Sequence, residues 1–170
     1  MAGYGDRPFG LRQVVLTDDA GGTAVALPRS LMLHVTPRVA AAEFEVEGVL
    51  VAASAVVVGA DWELEAGGIS LEAWAKLTGL TVTQAGATPN RTWSMAGAGG
   101  AAFPYVRVYG RAVGDGGSDD VYCRLYRCKL ASIEGTFRRG EFFISSAAGV
   151  AVKHNSGVFE FVQRETAASL

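Results

Sequence analysis

Over most of this chain the apolar residues recur at every second position, and that spacing restricts its fold more than any other feature. Period-two alternation marks a strand with one covered face. It is cleanest in AEFEVE (42–47), where Phe44 and Val46 alternate with Glu43, Glu45 and Glu47, and it returns in DWELE (61–65), where Trp62 and Leu64 face away from Asp61, Glu63 and Glu65. Shorter β-like runs cover 13–17, 23–27 and 30–35 ahead of these. Others follow at 80–84, 91–95, 105–113, 121–130, 141–146, 149–154 and 158–163, separated by turn clusters such as GDGGSDD at 114–120. The expected fold class is mainly β, a sandwich or barrel.

One stretch changes the period. In ISLEAWAKLTG (69–79) Ser70 is a good N-cap, Ile69 can staple to Trp74, and Leu71, Trp74, Ala75 and Leu77 fall on one stripe before Gly79 supplies a left-handed cap. The pattern predicts a helix from Ser70 to Thr78. A helix of about nine residues is marginal alone in water, so Ile69, Leu71, Trp74 and Leu77 are expected to dock it on the sheet.

VLVAASAVVV (49–58) is apolar at every position but one, as expected of a strand covered on both sides, or of a hairpin arm buried against another chain. With 170 residues, 49% apolar and 19% charged, the chain is expected to form one domain over 13–164. A flexible arm at 1–12 and a tail at 165–170 flank it, and MAGAGGAA (95–102) reads as an internal loop. No apolar run approaches the roughly 20 residues that span a bilayer, and the N-terminus lacks the apolar run of a secretory signal.

The 17 acids and 15 Lys/Arg nearly cancel, so the molecule as a whole does not attract nucleic acid or an anionic membrane. Cys123 and Cys128, five apart on one strand, face opposite sides and are expected to be free thiols. His34 and His154 show no metal-ligand spacing, and the glycines at 97, 99 and 100 precede a strand where a dinucleotide loop would precede a helix. No catalytic, cofactor or metal site is expected, and the chain does not read as an enzyme.

The anomaly is charge distribution. Between Arg38 and Lys76 stand seven carboxylates and no base, whereas 103–139 holds seven bases against four acids. Glu43, Glu45, Glu47, Asp61, Glu63 and Glu65 therefore form a candidate acidic face, and Arg107, Arg111, Arg124, Arg127 and Lys129 a candidate complementary basic face. Opposite flanks suit head-to-tail association of copies, which closes into a ring when the rotation permits. Solvated strand faces would carry the same pattern.

The order of these elements resembles the major tail proteins, or tail tube proteins, of long-tailed bacterial viruses. The likeness rests on DWELEAGGISLEAWAKLTG, the strand pair YVRVYGRA and DDVYCRLYRCKL, then GEFFISSAAGVAV and GVFEFVQRETA, and runs from about Glu43 to the C-terminus. It implies a tail-tube-type β-sandwich with one flanking helix, whose copies form hexameric rings stacked into a hollow tube for DNA ejection. It also implies a virion protein assembled in the host cytoplasm. Its partners would be other copies, further tail proteins at the tube ends, a tape-measure protein in the lumen and DNA passing without sequence recognition, with no membrane. Many members add a second sandwich domain; this chain would be a minimal form. Carboxylates facing the lumen or an inter-subunit seam would suit such a role, and the arm, residues 49–58 and the ETAASL tail are candidates for ring-to-ring contact. A tube protein of type VI secretion and a monomeric carbohydrate- or Ca²⁺-binding sandwich are the alternative readings.

Overall fold

The structure is a computed structural model that describes residues 8–27, 29–46, 49–68, 70–97, 99–100, 102–114, 120–140 and 143–164. It is mainly β and antiparallel. The strands are β1 (Pro8–Asp18), β2 (Val25–Leu27), β3 (Ser30–Val46), β4 (Val49–Gly67), β5 (Val82–Ala85), β6 (Thr92–Met95), β7 (Tyr105–Gly114), β8 (Asp120–Thr136), β9 (Ile144–Ala151) and β10 (Phe159–Arg164), with one helix among the described residues, α1 (Leu71–Thr78). The main sheet runs β2-β1-β7-β8-β9-β4-β3, with β10 on β8, and β5-β6 form a separate hairpin.

β8 organises the sheet. Seventeen residues long, it pairs with β7 along one edge and with β10 and then β9 along the other, and its register shifts near Leu125–Cys128 and again at Leu130–Ser132. Such bulges increase local twist, and the sheet curls until one face becomes the interior. Leu33 of β3 then lies over Gly110 of β7, where an added Cβ would come within 2.5 Å of Leu33 Cδ2. Trp62 lies across Gly149, at 2.8 Å from where a Cβ would sit. Trp62 shares one buried core with Val14, Leu16, Val106, Val108, Leu125 and Cys128, all fully buried.

The helix carries both expected caps. Ser70 Oγ accepts from the Ala73 N–H at 3.2 Å, and Gly79, at φ 74°, donates its N–H to Ala75 O at 2.7 Å. The cap contributes about 1 kcal/mol. The docked side is shifted from the expected stripe: Ala73, Leu77 and Thr78 are buried, while Leu71, Trp74 and Ala75 are half-buried. Positions 73, 74, 77 and 78 follow the i, i+4 rows of one helical face, and this face meets the sheet. Leu77 and Trp74 cover Leu27, Leu64, Ala66 and Ile133, and Trp74 rests on Gly135. Lys76 Nζ ties the last turn to Asp18 of β1 at 2.8 Å. Ile69 lies outside the described residues.

Several expected boundaries move. The runs 30–35 and 42–46 lie in one strand, β3, and 49–58 and 61–65 in another, β4; β9 likewise joins 144–146 to 149–151, and residues 47, 141 and 142 lie outside the described residues. Pro37 does not end β3 because β3 is the edge strand of the sheet, where a missing N–H is tolerated. Residues 8–12 belong to β1, paired with β7 from Pro8 onward, and are not part of an arm. Residues 1–7 and the tail 165–170 lie outside the described residues.

Candidate assembly surfaces

β3 and β4 form one long hairpin, in register from Ser30↔Ala66 to Val46↔Val49. Only its lower half joins the body, since β9 pairs with β4 from Ala60 to Gly67. Above Gly59 the hairpin is exposed on both faces: every residue from Ala52 to Val58 is exposed, and so are Val39 and Phe44 on the facing strand. Of the two readings of 49–58, a strand covered on both sides within this chain does not hold for 52–58, which are exposed.

Residues directly opposite in an antiparallel ladder share a face, and this sorts the acidic side chains. Glu63 lies opposite His34 and Ala148, and Glu65 opposite Met32 and Ser146. On β8, Glu134 lies opposite Ser146, so Glu63, Glu65 and Glu134 share the outer face around a concavity floored by Ser132 and Ser146. Asp61 shares this face but is engaged: Arg38 Nε and Nη2 donate to its two oxygens at 2.8 and 2.6 Å. That hydrogen bond holds the Asp61 carboxyl below the ordinary carboxylate range and the Arg38 guanidinium above its own.

Glu43 and Glu45 do not belong to this face. On β3 the odd-numbered residues continue the core side beyond the body, carrying Leu33, Val35, Val39 and then Glu43, opposite Ala53. On β4, below the bulge at Arg38/Val39, the even-numbered residues take the core side and leave Asp61, Glu63 and Glu65 outside. The five described carboxylates therefore divide between two faces, and Glu47 lies outside the described residues.

The five candidate bases do not form one open surface either: carboxylates engage Arg111, Arg124 and Arg127, a backbone carbonyl engages Arg107, and Lys129 lies over a tyrosine ring. Arg111 Nε donates at 2.6 Å to Oδ2 of Asp120, a carboxylate 0% exposed that also accepts from the Tyr122 hydroxyl at 3.2 Å. Arg124 pairs with Glu160 at 3.2 Å, and the Tyr126 hydroxyl donates to the same oxygen at 2.5 Å. This hydroxyl lowers the Glu160 carboxyl pKa below its ordinary value, while the carboxylate raises that of the Tyr126 phenol. Arg107 Nη2 donates to the Asp19 carbonyl, and Arg127 Nε is 3.4 Å from the Asp19 carboxylate. Arg127 and Lys129 both stack on Tyr105, at 4.2 and 4.8 Å from the ring centre.

Both cysteines are free; burial pushes the Cys123 thiol pKa up to about 11 and that of Cys128 higher still. Among the described residues no three His, Cys, Asp or Glu side chains gather as metal ligands, and no helix is long and apolar enough to cross a membrane. Sequence reasoning missed Glu134 as a member of the acidic face. The alternation Ser132-Glu134-Thr136 was its signal, masked by counting Glu134 within a basic stretch. No protein-family model matches the chain, and no curated protein matches it in sequence.

Proposed function

We propose that this chain is a self-assembling tube subunit of the kind found in the tails of long-tailed bacterial viruses. Its copies form rings of six that stack around a bore for DNA. The observation that carries this reading is the projecting hairpin, whose Val39, Phe44, Val56, Val57 and Val58 are about half exposed or more. Fully burying one such side chain stabilises by about 1.5 to 3 kcal/mol, and an isolated two-stranded hairpin is marginal in water. Neighbouring copies supply the missing cover. The outer edge of β3, and the edge of upper β4 away from β3, also present backbone groups without a strand partner among the described residues, an arrangement suited to strand addition between subunits.

Within such a ring the outer face bearing Glu63, Glu65 and Glu134 lines the bore. Lysine or arginine there would bind phosphates through counterion release and hold the genome, whereas carboxylates repel it and let it move. Tape-measure protein occupies the bore before DNA, and other tail proteins close the ends. Sedimentation velocity over a concentration series tests the assembly. Large, concentration-dependent particles are expected; a single monomer boundary at every concentration and salt contradicts the reading.

A further inference from the structure

The edge of β8 away from β7 changes partner at Tyr126 and Arg127. β10 pairs with β8 as far as Leu125, and β9 takes over from Cys128. On the other edge the register shifts between Val106 and Val108, so that Tyr126 and Arg127 stand opposite Arg107 alone. A two-against-one bulge of this kind re-aims side chains. The turn at 152–158 bridges the change of partner: the Val152 N–H donates to Arg127 O, the Tyr126 N–H donates to Val158 O, and His154 and Gly157 exchange backbone hydrogen bonds at 2.9 and 3.0 Å. Arg127, Lys153, His154 and Asn155 thereby meet Asp19, which follows β1, around an open cavity of about 630 Å³, a size typical of small-molecule sites.

Polar groups around Asp19 are left without partners. Arg107 donates to the Asp19 carbonyl, and Arg127 stands 3.4 Å from its carboxylate, yet Arg107 Nε, Arg127 Nε and Asp19 Oδ1 are all buried with no hydrogen-bond partner. These are three of the five such atoms among the described residues, and buried polar atoms seldom go unmatched, so the gathering of three at one place marks it out. Lys153, exposed on the turn, has no carboxylate partner among the described residues. His154 Nδ1 accepts from the Ser156 N–H at 3.4 Å, which leaves Nε2 as the ring's donor. Lys129, beside Arg127 over the Tyr105 ring, adds to the positive charge.

Bases in excess around one carboxylate select the ligand's chemistry. A phosphate group has oxygens for Arg127, Lys153 and His154, and with a second pKa near 6 it still offers a P–OH proton to a carboxylate close to neutral pH. Sulfate and acetate carry no proton there and are repelled by Asp19. We propose that this cavity binds a phosphate group, free or as a monoester, with Arg127, Lys153 and His154 as donors and Asp19 as the acceptor that separates phosphate from sulfate. The proposal does not depend on the tube reading, because binding is measured whether or not the chain assembles.

Isothermal titration calorimetry at low ionic strength tests it, with inorganic phosphate, a nucleoside monophosphate, sulfate and acetate as separate titrants. Phosphate or the nucleotide is expected to bind once per chain, at least about tenfold more tightly than sulfate or acetate, the worth of one charge-assisted hydrogen bond. Tighter binding of the nucleotide makes a monoester the source of the phosphate, and equal binding makes it the free ion. K153A is expected to weaken phosphate roughly ten- to a hundredfold with the melting temperature unchanged, and D19N to let sulfate bind as tightly as phosphate. No heat with either phosphate ligand, sulfate bound as tightly as phosphate by the unaltered chain, undiminished binding by K153A, or a D19N chain that still rejects sulfate overturns the assignment.

Discussion

Replacing Trp62 with alanine is expected to lower the stability of the folded chain by about 3 to 5 kcal/mol, the range for removing a buried large aromatic side chain. Trp62 is 1% exposed and sits on β4 between β3 and β9, with its ring pressed on Gly149. Gly149 has no side chain to move into the space, and a Cβ there would meet both the Lys129 carbonyl and the indole. The cavity therefore stays open, and the cavity term adds to the lost transfer energy. Since a domain of this size has a total stability of about 5 to 15 kcal/mol, much of the margin disappears. Urea denaturation followed by far-ultraviolet circular dichroism measures the loss; a change below about 1 kcal/mol would show that the curled sheet is not held on this residue.

Removing the projecting half of the hairpin has the opposite signature. Joining Arg38 to Gly59, which lie opposite each other, through an Asn-Gly turn deletes residues 39–58, none of whose described side chains belongs to the buried core, and a two-residue turn of this kind suits antiparallel strands. The shortened chain is expected to fold with a melting temperature close to that of the full chain, to be more soluble, and to sediment as a monomer at every concentration. Melting curves and sedimentation together separate the two contributions. A shortened chain that still forms large particles would place the assembly surface elsewhere.

The parts of this structure legible in the sequence are those governed by local rules. Ser70 and Gly79 delimit the helix because cap chemistry acts within a few residues, and the alternation in DWELE places Trp62 and Leu64 inside. The helix face differed because Ala73 contributes little to a hydrophobic stripe yet fits flat against a sheet. Strand lengths were harder: nothing in 30–46 marks where a strand must stop, and Pro37 reads as a break until β3 is known to be an edge. Face assignment was hardest, since it depends on which residues pair: Leu33 and Val35 pair with Leu64 and Trp62, so the odd residues of β3 share the core side with the even residues of β4. Glu43 and Glu63, alike in local pattern, therefore fall on opposite sides of one hairpin. The basic residues followed the same logic, because Arg111 and Arg124 meet Asp120 and Glu160 only once β7, β8 and β10 are paired.

The proposed assembly would join these observations. A curled sheet whose own interior is filled leaves an outer face with Glu63, Glu65 and Glu134 beside the paired Asp61, an edge unpaired among the described residues and an exposed apolar hairpin, and each of these would gain a role if copies surround a bore. Negative-stain electron microscopy of the purified protein at high concentration tests that claim most directly. Rings, or hollow filaments with an open centre in end view, are the result expected; dispersed single molecules across all concentrations and salts would contradict it.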